Sequence, residues 1–291
     1  MSVHHSQLDR YRYFVERKLM AWRRSLAPDA VQGRRIGPRV FVNSIPKSGT
    51  NLARSLLEHL PLLRPVGYRT LRDWNELSPG ARRRIASLKR GQYALAHMPA
   101  HEPLRALLRD HAIRSLFIVR DPRDVVLSLT RYVTSMNKAH RVHDYFVALP
   151  SEEARLRATI HGVPGIIASL SELLDRYLPW LDEPGVLTIH FEDLVGPAGG
   201  GSEEAQQQAV AAIVDHLQMR IAPEQQHRIA QQVFSPTAPT FRKGQARGWK
   251  TTLPPAILAE LEAEAGAQVQ RLGYALHADA AASPTASPLA E

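Results

Sequence analysis

The run from Arg39 to Leu52 limits what this chain can fold into more than any other. Val40, Phe41 and Val42 form an apolar stretch that reads as a buried strand over 39–44. Pro46, Lys47, Ser48 and Gly49 follow as a tight turn, and helical patterning starts near Thr50. A strand, a turn and a helix in that order aim backbone N–H groups and a helix N-terminus at one point, and Lys47 adds a full positive charge there. The layout predicts an anion cradle. It is not a Walker A loop, which needs a glycine four residues before Gly-Lys-Ser/Thr; here the order is Lys47, Ser48, Gly49, Thr50.

The rest of the chain repeats the alternation. Strands are expected at 93–96, 113–119 and 185–191. Helices are expected at 50–60, 102–110, 151–181, 203–218, 223–233 and 254–270. Another helix starts at Asp121 and Pro122, an N-cap followed by proline at the first helical position. Residues 27–38 read as a Pro/Gly/Arg connector. Residues 61–90 read as two turns and a basic helix around Arg82, Arg83 and Arg84, and 137–150 as irregular. Strands alternating with helices predict an α/β fold: one domain over 38–276 with a central parallel sheet and helices on both faces. A basic amphipathic helix and connector over 1–37 precede it, and an Ala/Ser/Pro tail over 277–291 reads as disordered. In such sheets ligands sit beyond the carboxyl ends of the strands. The Lys47 turn, His97, Arg120 and the Glu192-Asp193 turn all fall at such ends.

Composition narrows the chemistry. There are no cysteines, which excludes disulfides and thiolate metal sites. His140 and His143 are spaced as a helical pair but lack nearby further ligands, so no metal is expected. The net charge of +9 suits an anionic partner such as a nucleotide, a nucleic acid, an acidic glycan or a membrane surface. No run reaches membrane-span length, and the N-terminus lacks the apolar core of a secretory leader. A cytoplasmic protein is expected. Residues 7–26 read first as a helix packed on the domain and second as a peripheral contact with an anionic membrane.

At the strand ends, Lys47, Ser48, Thr50, Arg120, Arg242 and Lys243 make a cationic set, and His97 is a candidate base. No Walker B acid or carboxylate cluster for magnesium is evident. Positive charge of this kind suits transfer of an already activated anionic group to a neutral nucleophile.

These residues carry a resemblance. Residues 45–50 resemble the 5′-phosphosulfate loop of the sulfotransferases that use PAPS (3′-phosphoadenosine 5′-phosphosulfate). Residues 119–128 are similar to that family's 3′-phosphate motif, whose functional pair corresponds to Arg120 and Ser128. Phe241 to Gly244 with Trp249 and Lys250 resemble its C-terminal phosphate segment. His97, Met98 and Pro99 are similar to the turn that carries the catalytic base, and Phe191 to Asp193 to a turn near the adenine. The resemblance spans roughly 39–253. It implies a P-loop-NTPase-like domain, PAPS as donor and PAP as product. Lys47, Ser48, Gly49, Thr50, Asn51, Arg120, Ser128, Phe191, Arg242, Lys243 and Gly244 would bind it, and Lys47, His97 and Ser128 would act in catalysis. The base would have the ordinary histidine pKa near 6.5. Asp73, Glu76 and His101 are rival bases. The acceptor implied is a hydroxyl, with Arg and His in 61–91 and 137–165 favouring a saccharide or glycolipid over a phenol; no nucleic acid is implied. Three positions depart from the pattern: Leu52 stands where an adenine-stacking Trp is common, Leu95 where a Lys often precedes the histidine, and Arg247-Gly248 where Gly-Asp is usual. The competing readings are a nucleotide-dependent kinase and a non-catalytic binder of anionic polymer or membrane.

Overall fold

The computed structural model describes residues 26–67, 69–234 and 245–277, with Val15, Lys18, Leu19, Trp22 and Arg23. Arg242, Lys243 and Gly244, most of 7–25, and 278–291 lie outside the described residues. The chain divides into two compact units, Met1–Arg120 with Pro179–Arg247, and Asp121–Leu178 with Gly248–Glu291.

The first unit is built on a six-stranded sheet. Its strands are β1 (Arg39–Ser44), β2 (Arg64–Pro65), β3 (Leu71–Arg72), β4 (Gln92–His97), β5 (Arg114–Val119) and β6 (Val186–His190). The order is β2-β4-β1-β5-β6, with β3 also along β4, and every pairing is parallel. Strands buried on both faces need continuous apolar runs, and β1 and β5 supply them. Alternate residues serve opposite faces. Val40, Val42, Leu116 and Ile118 pack with Leu52 and Leu56 of the helix Thr50–His59 and with Val210 and Ile213 of the helix Glu203–His216. Phe41, on the other face, meets Trp180 with ring centroids 6.2 Å apart.

The connection from β1 runs to the β4 side, while that from β5 runs to β6. The adjacent strands β1 and β5 therefore diverge, which makes their carboxyl ends the switch point where such sheets take ligands. Lys47 follows β1 and Arg120 follows β5. Asn43 ties β1 to the chain just beyond His97. Its side-chain N–H donates to the Met98 carbonyl at 2.8 Å, and the Met98 N–H donates back to its Oδ1 at 2.9 Å.

The second unit is helical, with Pro122–Arg131, His143–Ala148, Glu152–His161, Leu170–Asp175, Trp249–Thr252 and Pro255–Arg271 and a π-turn at Tyr132–Met136. Arg123 is buried in it. Its guanidinium lies 3.8 Å from the Trp249 ring centroid and pairs with Asp121 at 2.9 Å and Glu262 at 3.0 Å. The Trp249 N–H donates to Asp124 Oδ1 at 2.9 Å. Asp121, Arg123, Asp124 and Trp249 thus serve this unit's own packing.

Four sequence expectations change. Residues 27–38 are not a bare connector: Pro28–Ile36 is a helix, with Pro28 at its start, Asp29 in the first turn and Arg34 and Arg35 in the last. Gly33 lies on it because a Cβ there would stand 2.0 Å from the Leu62 carbonyl oxygen. Residues 61–90 hold β2 and β3, two residues each and too short to show alternation. Residues 137–150 contain the helix His143–Ala148, which buries Phe146 against Val133 and Val142. The span 151–181 is broken at Gly162, whose φ of 72° ends the helix Glu152–His161, and helix resumes after a Ser169/Glu172 capping box. Among the described residues no helix is long and apolar enough to cross a membrane.

Candidate functional site

The turn after β1 is held in an unusual backbone shape. The Ser48 N–H donates to the Ile45 carbonyl at 3.0 Å. Lys47 has φ of 72° and Gly49 φ of 106°, both in the left-handed region. That region is open to glycine and costs other residues about 1–2 kcal/mol. Gly49 is required twice over, because a Cβ would also sit 2.6 Å from Cδ2 of Phe191. Gly49→Ala is expected to cost about 2–4 kcal/mol from backbone strain plus overpacking, read as a melting temperature lower by several degrees. An unchanged melting temperature would show that Phe191 and the turn yield freely.

Phe191 is 2% exposed. The Arg120 guanidinium carbon lies 4.4 Å from its ring centroid, and Arg120 Nη2 donates to the Gln245 carbonyl at 2.9 Å. The ring thus supports the Gly49 turn and Arg120 together. Leu52, at the position of the usual stacking Trp, is a core residue at 1% exposure, as is Leu95 at 5%.

Lys47 is half-buried, and its pKa is pushed down to about 8 by burial and then by the fields of Arg120 and Arg72. Ser48 is fully buried, and its hydroxyl has no hydrogen-bond partner among the described residues. Thr50 and Asn51 open the helix, whose first N–H groups have no acceptor within it.

His97 ends β4, 9% exposed, beside β1. Its Nδ1 stands 2.9 Å from the Ser44 carbonyl oxygen and 3.1 Å from Ser44 Oγ. Its Nε2 stands 3.4 Å from Thr50 Oγ1, which is 2.8 Å from Ser44 Oγ. A carbonyl only accepts, so Nδ1 carries the proton and Nε2 the lone pair. The ordinary histidine pKa does not survive here: it is pushed down to about 4 by burial, with Arg72, Lys47 and Arg54 adding to the effect and the Ser44 hydrogen bond opposing it. Burial and positive neighbours both disfavour the imidazolium. The neighbouring charges that lower both pKa values are cations: Arg120 and Arg72 for Lys47, and Arg72, Lys47 and Arg54 for His97.

The rival bases have other surroundings. Asp73 accepts from the Ser78 N–H at 3.1 Å and the Ser78 hydroxyl at 2.7 Å, fixing the start of the helix Pro79–Ala86. Glu76 is exposed. His101 precedes the helix Glu102–Asp110, with its Nε2 buried. His140 meets Tyr132 edge-on at 5.9 Å, and His143 Nδ1 donates to the Val133 carbonyl at 2.8 Å. Among the described residues no group of three or more His, Asp or Glu could hold a metal ion.

The first unit therefore gathers Lys47, Ser48, Gly49, Thr50, Asn51, His97, Arg120 and Phe191 at one sheet edge. Ser128 stands in the second unit, half-buried on the helix Pro122–Arg131. Sequence reading missed Arg72. β3 pairs it in register with His97, yet no motif marks it and a two-residue strand gives no pattern.

No curated protein matches the chain. Among solved structures it is similar to mouse sulfotransferase SULT7A1 complexed with PAP, at 16% identity and a TM-score of 0.53, over 86% of this chain and 94% of that one. At that identity the likeness is one of fold. The family model described as the sulfotransferase domain matches residues 37–273. That span takes in the Lys47 turn, His97, Arg72 and Arg120, and it covers most of the sequence: the chain belongs to the sulfotransferase domain family.

Proposed function

We propose that the chain moves a sulfuryl group from PAPS to an acceptor hydroxyl, with His97 as the base. The observation that carries the donor reading is the Lys47 turn itself. It holds a desolvated lysine and a fully buried Ser48 hydroxyl, unpartnered among the described residues, at a helix start, which fits an anionic phosphosulfate. Lys47, Ser48, Gly49, Thr50 and Asn51 would hold that end. Arg120 would fork onto the second phosphate. The motif resemblance adds Arg242, Lys243 and Gly244 to that phosphate, and assigns Ser128 as well.

When bound, PAPS supplies an already activated sulfuryl group. The chain's own part is then threefold. His97 Nε2 accepts the acceptor's proton, its tautomer fixed by the Nδ1–H bond to Ser44. Lys47 neutralises charge growing on the departing oxygen, an interaction stronger in the transition state than before it. Arg120 anchors the nucleotide so that these groups meet the reacting atoms in register. The low pKa of His97 keeps its lone pair available. An anion on Lys47 would offset part of the field that lowers it, strengthening the base as the donor arrives. A saccharide or glycolipid hydroxyl is the acceptor we favour, with residues 7–26 as a peripheral membrane contact.

Transfer of labelled sulfate from PAPS to acceptor extracts tests the reading, and metal-dependent ATP turnover with indifference to PAPS would overturn it. The Lys47 shift adds a sign. Free Lys47 loses its proton near pH 8, and a bound anion raises that value, so binding takes up a proton above pH 8. PAP affinity measured by calorimetry is expected to be level from pH 7 to 8 and then to fall, approaching tenfold per pH unit. A flat profile to pH 9 would remove Lys47 from the donor site.

A further inference from the structure

His97 stands among three cations whose surroundings differ. Lys47 belongs to the anion turn. Arg54 is 8% exposed on the helix Thr50–His59, with Nη2 3.4 Å from Thr70 Oγ1. Arg72 is exposed and lies in register with His97 across the β3–β4 pair, and its side chain makes no hydrogen bond or ion pair with any described residue. The neighbouring carboxylate, Asp73, is turned to Ser78 instead. A guanidinium with no side-chain partner among the described residues, beside a buried base whose neighbouring charges are cations, is an arrangement that folding alone does not favour. Like charges raise the cost of every cation there. Trp74, two residues further on, is 41% exposed and offers an apolar surface close in the chain to the charge.

We propose that Arg72 selects the acceptor, favouring a hydroxyl compound that also carries a carboxylate or a phosphate ester. The inference rests on the sulfotransferase reading with His97 as base, and gives that reading a substrate class. The planar fork of Arg72 would take two anion oxygens at once, placing a nearby hydroxyl of the same molecule over the edge where Nε2 waits. Two neighbouring strands set the distance between fork and base, so the charge also fixes which hydroxyl reacts. The field of Arg72 reaches both His97 and Lys47, consistent with a position between donor and acceptor.

The test uses the full chain saturated with PAP, so that the donor site is filled. Methyl glucuronide, glucose 6-phosphate and the neutral methyl glucoside are titrated by ligand-observed NMR. At least one anionic sugar is expected to bind about tenfold tighter than the glucoside, and whether the carboxylate or the phosphate binds better names the source of the charge. Arg72→Gln is expected to erase the preference while leaving PAP affinity within about twofold. Arg72 is exposed at a sheet edge, and melting curves of the variant check that it folds. The proposal is overturned if the wild-type chain binds none of the three sugars or shows no anion preference, or if Arg72→Gln keeps that preference. It is also overturned if Arg72→Gln loses PAP affinity tenfold, which would assign Arg72 to the donor. Failure of the wild-type chain to bind PAP is a separate result: it removes the donor reading and this inference with it.

Discussion

Lys47→Ala is expected to lower sulfuryl transfer by about 10²–10³ and to raise the melting temperature. The two effects have one origin. Lys47 is a non-glycine residue at φ of 72°, half-buried and repelled by Arg120 and Arg72, so backbone strain, desolvation and like charge all act against a lysine there. A bound anion offsets these costs. Alanine removes the desolvated charge but keeps the left-handed strain, whereas Lys47→Gly removes both. Stability should therefore rise from wild type to Lys47→Ala to Lys47→Gly, while both variants lose PAP affinity and turnover. The pH dependence follows from linkage. The folded pKa of about 8 lies below the unfolded value of 10.5, so between those limits the unfolded chain holds more protons. Wild-type stability then rises as pH climbs from 8 to 10.5, and the alanine variant lacks that increment. Calorimetry with PAP, labelled-sulfate transfer and melting curves at pH 7 and 10 read all three. A Lys47→Ala chain that melts lower yet turns over normally would make Lys47 a structural residue.

The strand, turn and helix around Lys47 were legible because their constraints are local. Val40 to Val42 can only be buried, and a turn leading straight into a helix leaves N–H groups pointing outward whatever lies beyond. The helix start at Asp121 was legible for the same reason: its side chain accepts from the Arg123 N–H, and Pro122 follows at the first helical position. His97 could be placed at a strand end, but its pKa could not be read, because the cations that depress it come from Arg72, Lys47 and Arg54 on three separate elements. Phe191 looked like an adenine contact; its position between Gly49 and Arg120 depends on β6 lying beside β5, which no local pattern specifies. Arg123 and Trp249, adjacent in motif to residues of the site, turned out to hold each other. β3 stayed hidden because two residues have no period, and with it went Arg72.

His97→Asn separates the base from its scaffold. The asparagine amide can keep donating to the Ser44 carbonyl, so the strand end stays fixed, while the Nε2 lone pair is lost. Turnover is expected to fall by about 10²–10⁴ with PAP affinity unchanged, since in the proposed mechanism His97 would take the acceptor's proton and would not hold the donor's phosphates. Stability supplies an independent readout. The folded pKa of about 4 lies below the ordinary 6.5, so from pH 6.5 down to 4 the unfolded chain binds a proton that the folded chain refuses. Wild-type stability is lost progressively across that window, by about 3 kcal/mol at most, and the asparagine variant escapes this part of the loss. The imidazole titration, followed by NMR, should move up when PAP binds, because phosphate charge on the Lys47 turn cancels part of the field that favours the neutral ring. Titration near 6.5 in the free chain, unmoved by PAP, would mean that the cations and the burial do not govern this histidine, and the coupling between donor arrival and base strength would fail with it.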